Sequence, residues 1–259
     1  MTTQPPADLP ATPAATAPGA ANPGPAAAAS GAFPAGPRDV LGEVFEAVLF
    51  DMDGTLISST RSVERCWTTL AAEYGLPVAA VSPFPFHGVP ARAILDDLLA
   101  DREPAERAAA LARVVDLEVA DTDGIKVLPG AAEALAELAP AGRCAVVTSC
   151  GARLAAARFG AVDLPAPSRT VTADDVTRGK PDPEPYLLGA ELLGVDVRRC
   201  LVVEDAASGV VSGRAAGAAT LGLRTTHPDG PGEPADLVVA DLSAVRFEVA
   251  DGGVRVTAR

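Results

Sequence analysis

From residue 46 onward the chain alternates short, almost wholly apolar runs with segments of helical period. EAVLF at Glu46–Phe50 ends on Asp51, CAVV at Cys144–Val147 ends on Thr148, and CLVV at Cys200–Val203 ends on Glu204 and Asp205. Unbroken Val/Leu/Ala runs of this length mark strands buried on both faces of a parallel sheet. Weaker runs of the same kind lie at Thr170–Thr172, Ala219–Leu223 and Ala235–Ala240. Between them, Gly130–Leu138, Ala152–Phe159, Pro183–Leu193 and Ala206–Ala216 carry helical spacing. Strand and helix in alternation predict βαβ units, hence an α/β fold with a doubly wound parallel sheet. The last helix contains Gly209 and Gly213 and ends at Gly217. Glycines weaken a helix, so close packing on the sheet or a neighbouring loop is the expected reason for them.

One stretch breaks the alternation. Between about Ser59 and Lys126 only helical patterns occur, at Thr60–Tyr74 (with Trp67 and Leu70), Pro90–Ala100 and Pro104–Val119. Gly75, Pro77, Pro83, Pro85 and Gly88 punctuate it. This predicts a small all-helical insertion over residues 59–126, placed after the first strand of a core made of residues 41–58 and 127–259. Ahead of the core, residues 1–40 are dominated by Ala, Pro, Gly and Thr without periodicity. Such a segment buries too little to offset the entropy of ordering, and is read as a disordered tail. Deleting residues 1–36 should leave turnover unchanged; a large drop in rate would refute that reading.

Composition narrows the function. Nearly half of the 259 residues are apolar, and the formal net charge is -13. That balance argues against a nucleic-acid surface, which rests on clustered Lys and Arg. No apolar run reaches the length of a membrane span. There is neither a basic leader nor a compact apolar stretch before a cleavage site, so a cytoplasmic protein is expected, by default a monomer. Cys66, Cys144, Cys150 and Cys200 form no C-x-x-C pair, and Cys144 and Cys200, which begin apolar runs, read as buried, reduced thiols. Cys150, after a strand, has no histidine near it in sequence and reads as a small hydrophobe rather than a nucleophile. Lysine occurs only at Lys126 and Lys180.

The polar residues at the strand ends carry the chemistry. Ligands of open parallel sheets bind beyond the carboxyl ends of the strands, where Asp51, Thr148 and Glu204-Asp205 would converge. Asp51-Met52-Asp53-Gly54-Thr55 sets two carboxylates two residues apart, with Gly54 allowing a tight turn that aims backbone N–H groups at an anion. Alone, each element has a plain structural reading: a surface turn, an acidic helix cap, a hydroxyl pair, a loop lysine. Together, Asp51, Asp53, Glu204 and Asp205 would repel one another unless a cation sat among them. Mg2+ suits such an oxygen set and commonly shares it with a phosphate. Lys180, with Thr148 and Ser149, would then meet the phosphoryl oxygens, leaving Asp51 as nucleophile and Asp53 as general acid and base.

Asp51-x-Asp53-Gly54-Thr55-Leu56, then Thr148, then Lys180 in G-K-P, then Glu204-Asp205 before a Gly-rich helix, resembles the haloacid dehalogenase (HAD) superfamily over roughly residues 46–225. The segments VTSCGARLAAARFG, VTADDVTRGKPDPEPYLLGAELLG and VVEDAASGVVSGRAAGAATLGLRTT look like its glycerol-phosphate and sugar-phosphate phosphatase branch. The resemblance implies a Rossmann-like core and a helical cap that closes over the site. It implies metal ligation by Asp51, the backbone carbonyl of Asp53, and Asp205, with Glu204 a ligand or the holder of a metal-bound water. It also implies a small phosphorylated metabolite as substrate; His87, in a His-Gly pair that matches a cap segment of that branch, and Arg92 are the candidates for contacting it from the cap. Asp53 and Glu204-Asp205 separate the chain from the metal-free dehalogenases. Ser58 departs from the usual Asp after D-G-T-L-x, at a position outside the chemistry. The alternatives are a mutase of the β-phosphoglucomutase type and, from another class, a non-catalytic phosphometabolite-binding protein.

Overall fold

Strand formation starts from side chains that have nowhere else to go. In the computed structural model, which describes residues 37–82, 86, 88–165, 167, 169–232, 235–250 and 252–259, all four side chains of Ala47–Phe50 are fully buried. In chain order the strands and α-helices begin with β1 (Val44–Phe45), β2 (Ala47–Phe50) and β3 (Ile57–Ser58). The insertion follows as α1 (Thr60–Tyr74), α2 (Ala91–Leu98) and α3 (Pro104–Ala120). The core resumes with β4 (Lys126–Val127), α4 (Ala131–Leu138), β5 (Cys144–Val147), α5 (Ala152–Gly160), β6 (Thr170–Val171) and α6 (Glu184–Leu193). It closes with β7 (Cys200–Glu204), α7 (Ala207–Ala216), β8 (Ala219–Leu223), β9 (Leu237–Val239), β10 (Val245–Ala250) and β11 (Gly253–Ala258).

The main sheet has the order β6-β5-β2-β7-β8-β9 and every pairing in it is parallel. Period-2 alternation sends its side chains to two cores. Val48, Phe50, Val146, Leu201, Val203 and Leu221 join α4 and α5 on one face. Leu49, Ala145, Val147 and Val202 meet Tyr186 and Ala190 of α6 on the other. Each large apolar side chain buried this way contributes about 1.5–3 kcal/mol, which is why the short apolar runs are strands despite their length. Gly213 of α7 belongs to this contact: a Cβ there would stand 2.9 Å from Val202 Cγ1.

The sequence pattern located the six strands of the main sheet but not the second sheet. β1, β11 and β10 form an antiparallel sheet, with Phe45, Val245, Phe247, Val254 and Val256 buried against the first core. Its sequence signal was available: VRFEVA and GVRVTA alternate around an Asp-Gly pair at 251–252. The body also begins before residue 41, since Val40 is buried and the Arg38 amide donates to Asp236 at 2.9 Å. Residues 1–36 of the tail expected over residues 1–40 lie outside the described residues.

α1, α2 and α3 close on a core of their own, built from Trp67, Leu70, Val81, Ile94, Leu95, Leu99, Ala110 and Val114. The chain enters and leaves this bundle along a two-stranded antiparallel stem, Ile57 opposite Val127 and Ser58 opposite Lys126. Among the described residues no helix is long and apolar enough to cross a membrane.

Candidate active site

Three parallel strands deliver their last residues to one edge. Asp51 follows β2, Thr148 follows β5, and Glu204 and Asp205 stand at and after the end of β7. Lys180 reaches the same point from the loop before α6. Its ammonium donates to Asp51 Oδ1 at 2.7 Å, to Glu204 Oε1 at 2.7 Å and to the Val147 carbonyl at 2.8 Å. All of these side chains are buried. Glu204 also accepts from the Tyr186 hydroxyl at 2.8 Å, and its second oxygen accepts from the amides of Asp205 and Ala206. Thr226 donates to Asp205 Oδ2.

Two glycines make room for this packing. Gly54 has φ 95°, and a Cβ there would lie 2.0 Å from Asp205 Oδ2. A Cβ on Gly209 would lie 1.7 Å from Glu204 Oε1. Gly209 in α7 therefore answers to the carboxylate above it, whereas Gly213 answers to the sheet.

Burial and mutual repulsion dominate the electrostatics. Burial is the first cause of the rise that takes Asp51 well above the ordinary carboxylate range; Glu204 and Asp205 add to it and Lys180 opposes it. Asp205 is pushed up to about 7, by burial and then by Glu204. Burial alone would lower the Lys180 ammonium, but the two carboxylates outweigh it and hold its pKa above the usual value. A buried cluster with three carboxylates and one ammonium is short of positive charge.

The residues present fit a hard divalent cation. Asp51, Glu204 and Asp205 each offer an oxygen within 4.8 Å of the others, and Asp51 Oδ2 is buried with no hydrogen-bond partner. An all-oxygen set of this size is what Mg2+ accepts alongside substrate oxygens. One sequence expectation needs correcting: the cluster holds three carboxylates, not four. The Asp53 carboxylate is engaged elsewhere, by Ser59 Oγ at 2.6 Å and by Arg158 at 2.6 Å.

Asp51, Asp53, Gly54, Thr148, Ser149, Lys180, Glu204 and Asp205 line one cavity of about 710 Å3 between the sheet edge and the insertion. Arg92 lines it from the insertion side and is exposed. His87 lies outside the described residues. Cys150 lines the cavity as well, but burial pushes its thiol up to about 12, which leaves it a poor nucleophile at neutral pH.

Sequence reading passed over four side chains that shape the site: Tyr186, Thr226, Arg158 and Glu118. The last two had a detectable signal. Arg158 falls on the buried stripe of α5 with Leu154 and Ala155, and Glu118 on that of α3 with Ala110 and Val114. A charge at an apolar position of a helix needs a partner, and these two find each other at 2.7 Å.

The sheet, its helical insertion and the acidic edge define the class: an α/β fold with an acidic cavity beyond the carboxyl ends of parallel strands. The chain belongs to the haloacid dehalogenase-like hydrolase family, whose family model matches residues 45–217. It is 42% identical over 198 residues to hexitol phosphatase A of Escherichia coli (strain K12), covering 76% of this chain and 91% of that protein. It is 35% identical over 217 residues to validoxylamine A 7'-phosphate phosphatase of Streptomyces hygroscopicus subsp. limoneus, covering 79% and 97%. The solved structure of β-phosphoglucomutase from Clostridium difficile superposes with a TM-score of 0.67 at 20% identity, covering 78% of this chain and 94% of that one.

Proposed function

We propose that the protein is a Mg2+-dependent phosphatase that hydrolyses a small sugar or polyol phosphate through an aspartyl-phosphate on Asp51. One observation carries the reading: Lys180 holds Asp51 Oδ1 at 2.7 Å while Asp51 Oδ2 is left without a partner. Lys180 thus fixes the carboxylate through one oxygen, and the other makes no hydrogen bond within the protein.

In the first step Asp51 attacks phosphorus, the bond from phosphorus to the ester oxygen breaks, and Asp53 gives that oxygen a proton. In the second, Asp53 takes a proton from water as the water attacks phosphorus and the bond to Asp51 breaks. This releases inorganic phosphate and restores both groups. Thr148, Ser149, Lys180 and the backbone at Gly54 orient the phosphoryl oxygens. Asp51, Asp205, the backbone carbonyl of Asp53, and Glu204 directly or through water would hold Mg2+, which when bound neutralises charge on the phosphoryl group. The insertion covers the reacting groups, excludes bulk water and carries Arg92 toward the leaving group.

The substrate class rests on the relatives named for a hexitol and for validoxylamine A 7'-phosphate. β-Phosphoglucomutase shares the fold alone at its level of identity, so hydrolysis is favoured over phosphoryl return to sugar. The test is phosphate release from a panel of hexitol, deoxyhexose and glycerol phosphates with Mg2+, with and without EDTA. Release that EDTA abolishes is expected. Conversion of hexose 1-phosphate to 6-phosphate without release would instead make the protein a mutase.

Metal binding should also appear in stability. The folded pKa of about 7 for Asp205 exceeds an unfolded value of about 3.9. Its contribution is therefore present below about pH 4 and lost as pH rises through 7. A cation that replaces those protons offsets the loss, so Mg2+ should raise the melting temperature more at pH 8 than at pH 5. Equal shifts at the two pH values would count against this cluster as the metal site.

A further inference from the structure

Arg158 is buried inside the protein and cannot shed its charge. It lies on α5 of the core, and its two terminal nitrogens go to two different bodies of the fold. Nη1 donates to Asp53 Oδ2 at 2.6 Å, and Nη2 donates to Glu118 Oε2 at 2.7 Å. Glu118 belongs to α3 of the insertion, and its other oxygen accepts from Trp67 Nε1 of α1 at 3.0 Å. The chain Asp53–Arg158–Glu118–Trp67 thus runs from the core loop into the insertion, and all four residues line the cavity.

We propose that Arg158 is a positioning residue for Asp53, and that Glu118 and Trp67 hold Arg158 in turn, so that the seating of the insertion sets the aim of the acid/base carboxylate. The proposal rests on the phosphatase reading above. A planar guanidinium that donates through separate arms fixes direction as well as distance. With Ser59 on Oδ1 and Arg158 on Oδ2, neither oxygen of Asp53 is free to swing. Aim matters most in the second step. There the attacking water is untethered, whereas in the first step the leaving oxygen is attached to a phosphoryl group already held in place. Loss of Arg158 should therefore slow breakdown of the aspartyl-phosphate more than its formation.

Removing Arg158 alone strands the buried Glu118 carboxylate, which the double variant also replaces, while Asp53 is a quarter exposed and keeps Ser59. The test accordingly uses the double variant Arg158→Met/Glu118→Gln beside Arg158→Met, with wild type and Asp51→Asn as references. The probe is p-nitrophenyl phosphate, whose phenolate leaves without needing a proton. Expected for the folded double variant is a burst of about one nitrophenolate per enzyme, with the phosphoryl group found on Asp51 after acid quench. A steady rate roughly 100-fold below wild type should follow. A steady rate within about 3-fold of wild type would overturn the proposal. So would a slow rate without a burst, which is the mark of a general structural loss. Wild-type protein that releases no nitrophenolate in an Asp51-dependent way would overturn the phosphatase reading and this proposal with it.

Discussion

Asp51→Asn should abolish phosphate release, by roughly four to six orders of magnitude, as loss of a covalent nucleophile does elsewhere. The amide is nearly the shape of the carboxylate, and its oxygen can still accept from Lys180, so the packing at the end of β2 should survive. The charge balance should even improve. Burial, Glu204 and Asp205 all work against the ionised form of Asp51, and a neutral side chain removes one of three crowded carboxylates. The melting temperature without metal should stay level or rise while turnover disappears. Measuring phosphate release and thermal unfolding on the same preparation checks both halves. Residual activity above about 1% of wild type would exclude Asp51 as the nucleophile.

Lys180→Met should cost both activity and stability, and the pairing of the two losses is the informative part. The ammonium bridges Asp51 and Glu204 and satisfies the Val147 carbonyl. Methionine fills similar space but leaves buried carboxylates facing one another without their cation. Breaking a buried ion pair from one side costs about 3–5 kcal/mol, which denaturant unfolding would detect. Turnover should fall by about 100- to 1,000-fold as a donor to the phosphoryl oxygens is lost. A variant as stable as wild type would mean that the lysine carries little of the charge balance. A stable and fully active one would remove it from the site altogether.

The two variants probe opposite sides of one arrangement. Asp51→Asn lowers negative charge in a cluster that has too much of it, and Lys180→Met removes the positive charge that the cluster depends on. Only a folded chain relates them, because they are far apart in sequence and meet at a single sheet edge.

Much of that edge was legible beforehand. A strand buried on both faces must be apolar along its length, so AVLF, CAVV and CLVV announced themselves. The first polar residue after each run had to emerge at the carboxyl end, where parallel strands share one rim. That reasoning locates Asp51, Thr148, Glu204 and Asp205 without any knowledge of distances. The lack of strand-like runs between Ser59 and Lys126 likewise marked that stretch as helical, and α1, α2 and α3 lie there. The second sheet escaped because β10 and β11 are only partly apolar, and β1, which pairs with β11, is two residues long.

What the sequence determined by itself is therefore the strands and helices of the main parallel sheet, the helical character of the insertion, and the strand-end residues that reach the sheet's rim. Each follows from local period and from the one-dimensional position of a polar residue after an apolar run. Tertiary structure alone decided how the charges pair. The expectation of four carboxylates in one cluster failed because Asp53 turns to Arg158, a side chain 105 positions away. Arg158 in turn is held by Glu118 from the insertion, and Glu204 by Tyr186 from α6. A buried charge takes whichever opposite charge or donor the fold brings within about 3 Å, and that choice depends on three-dimensional approach, which residue spacing along the chain does not encode.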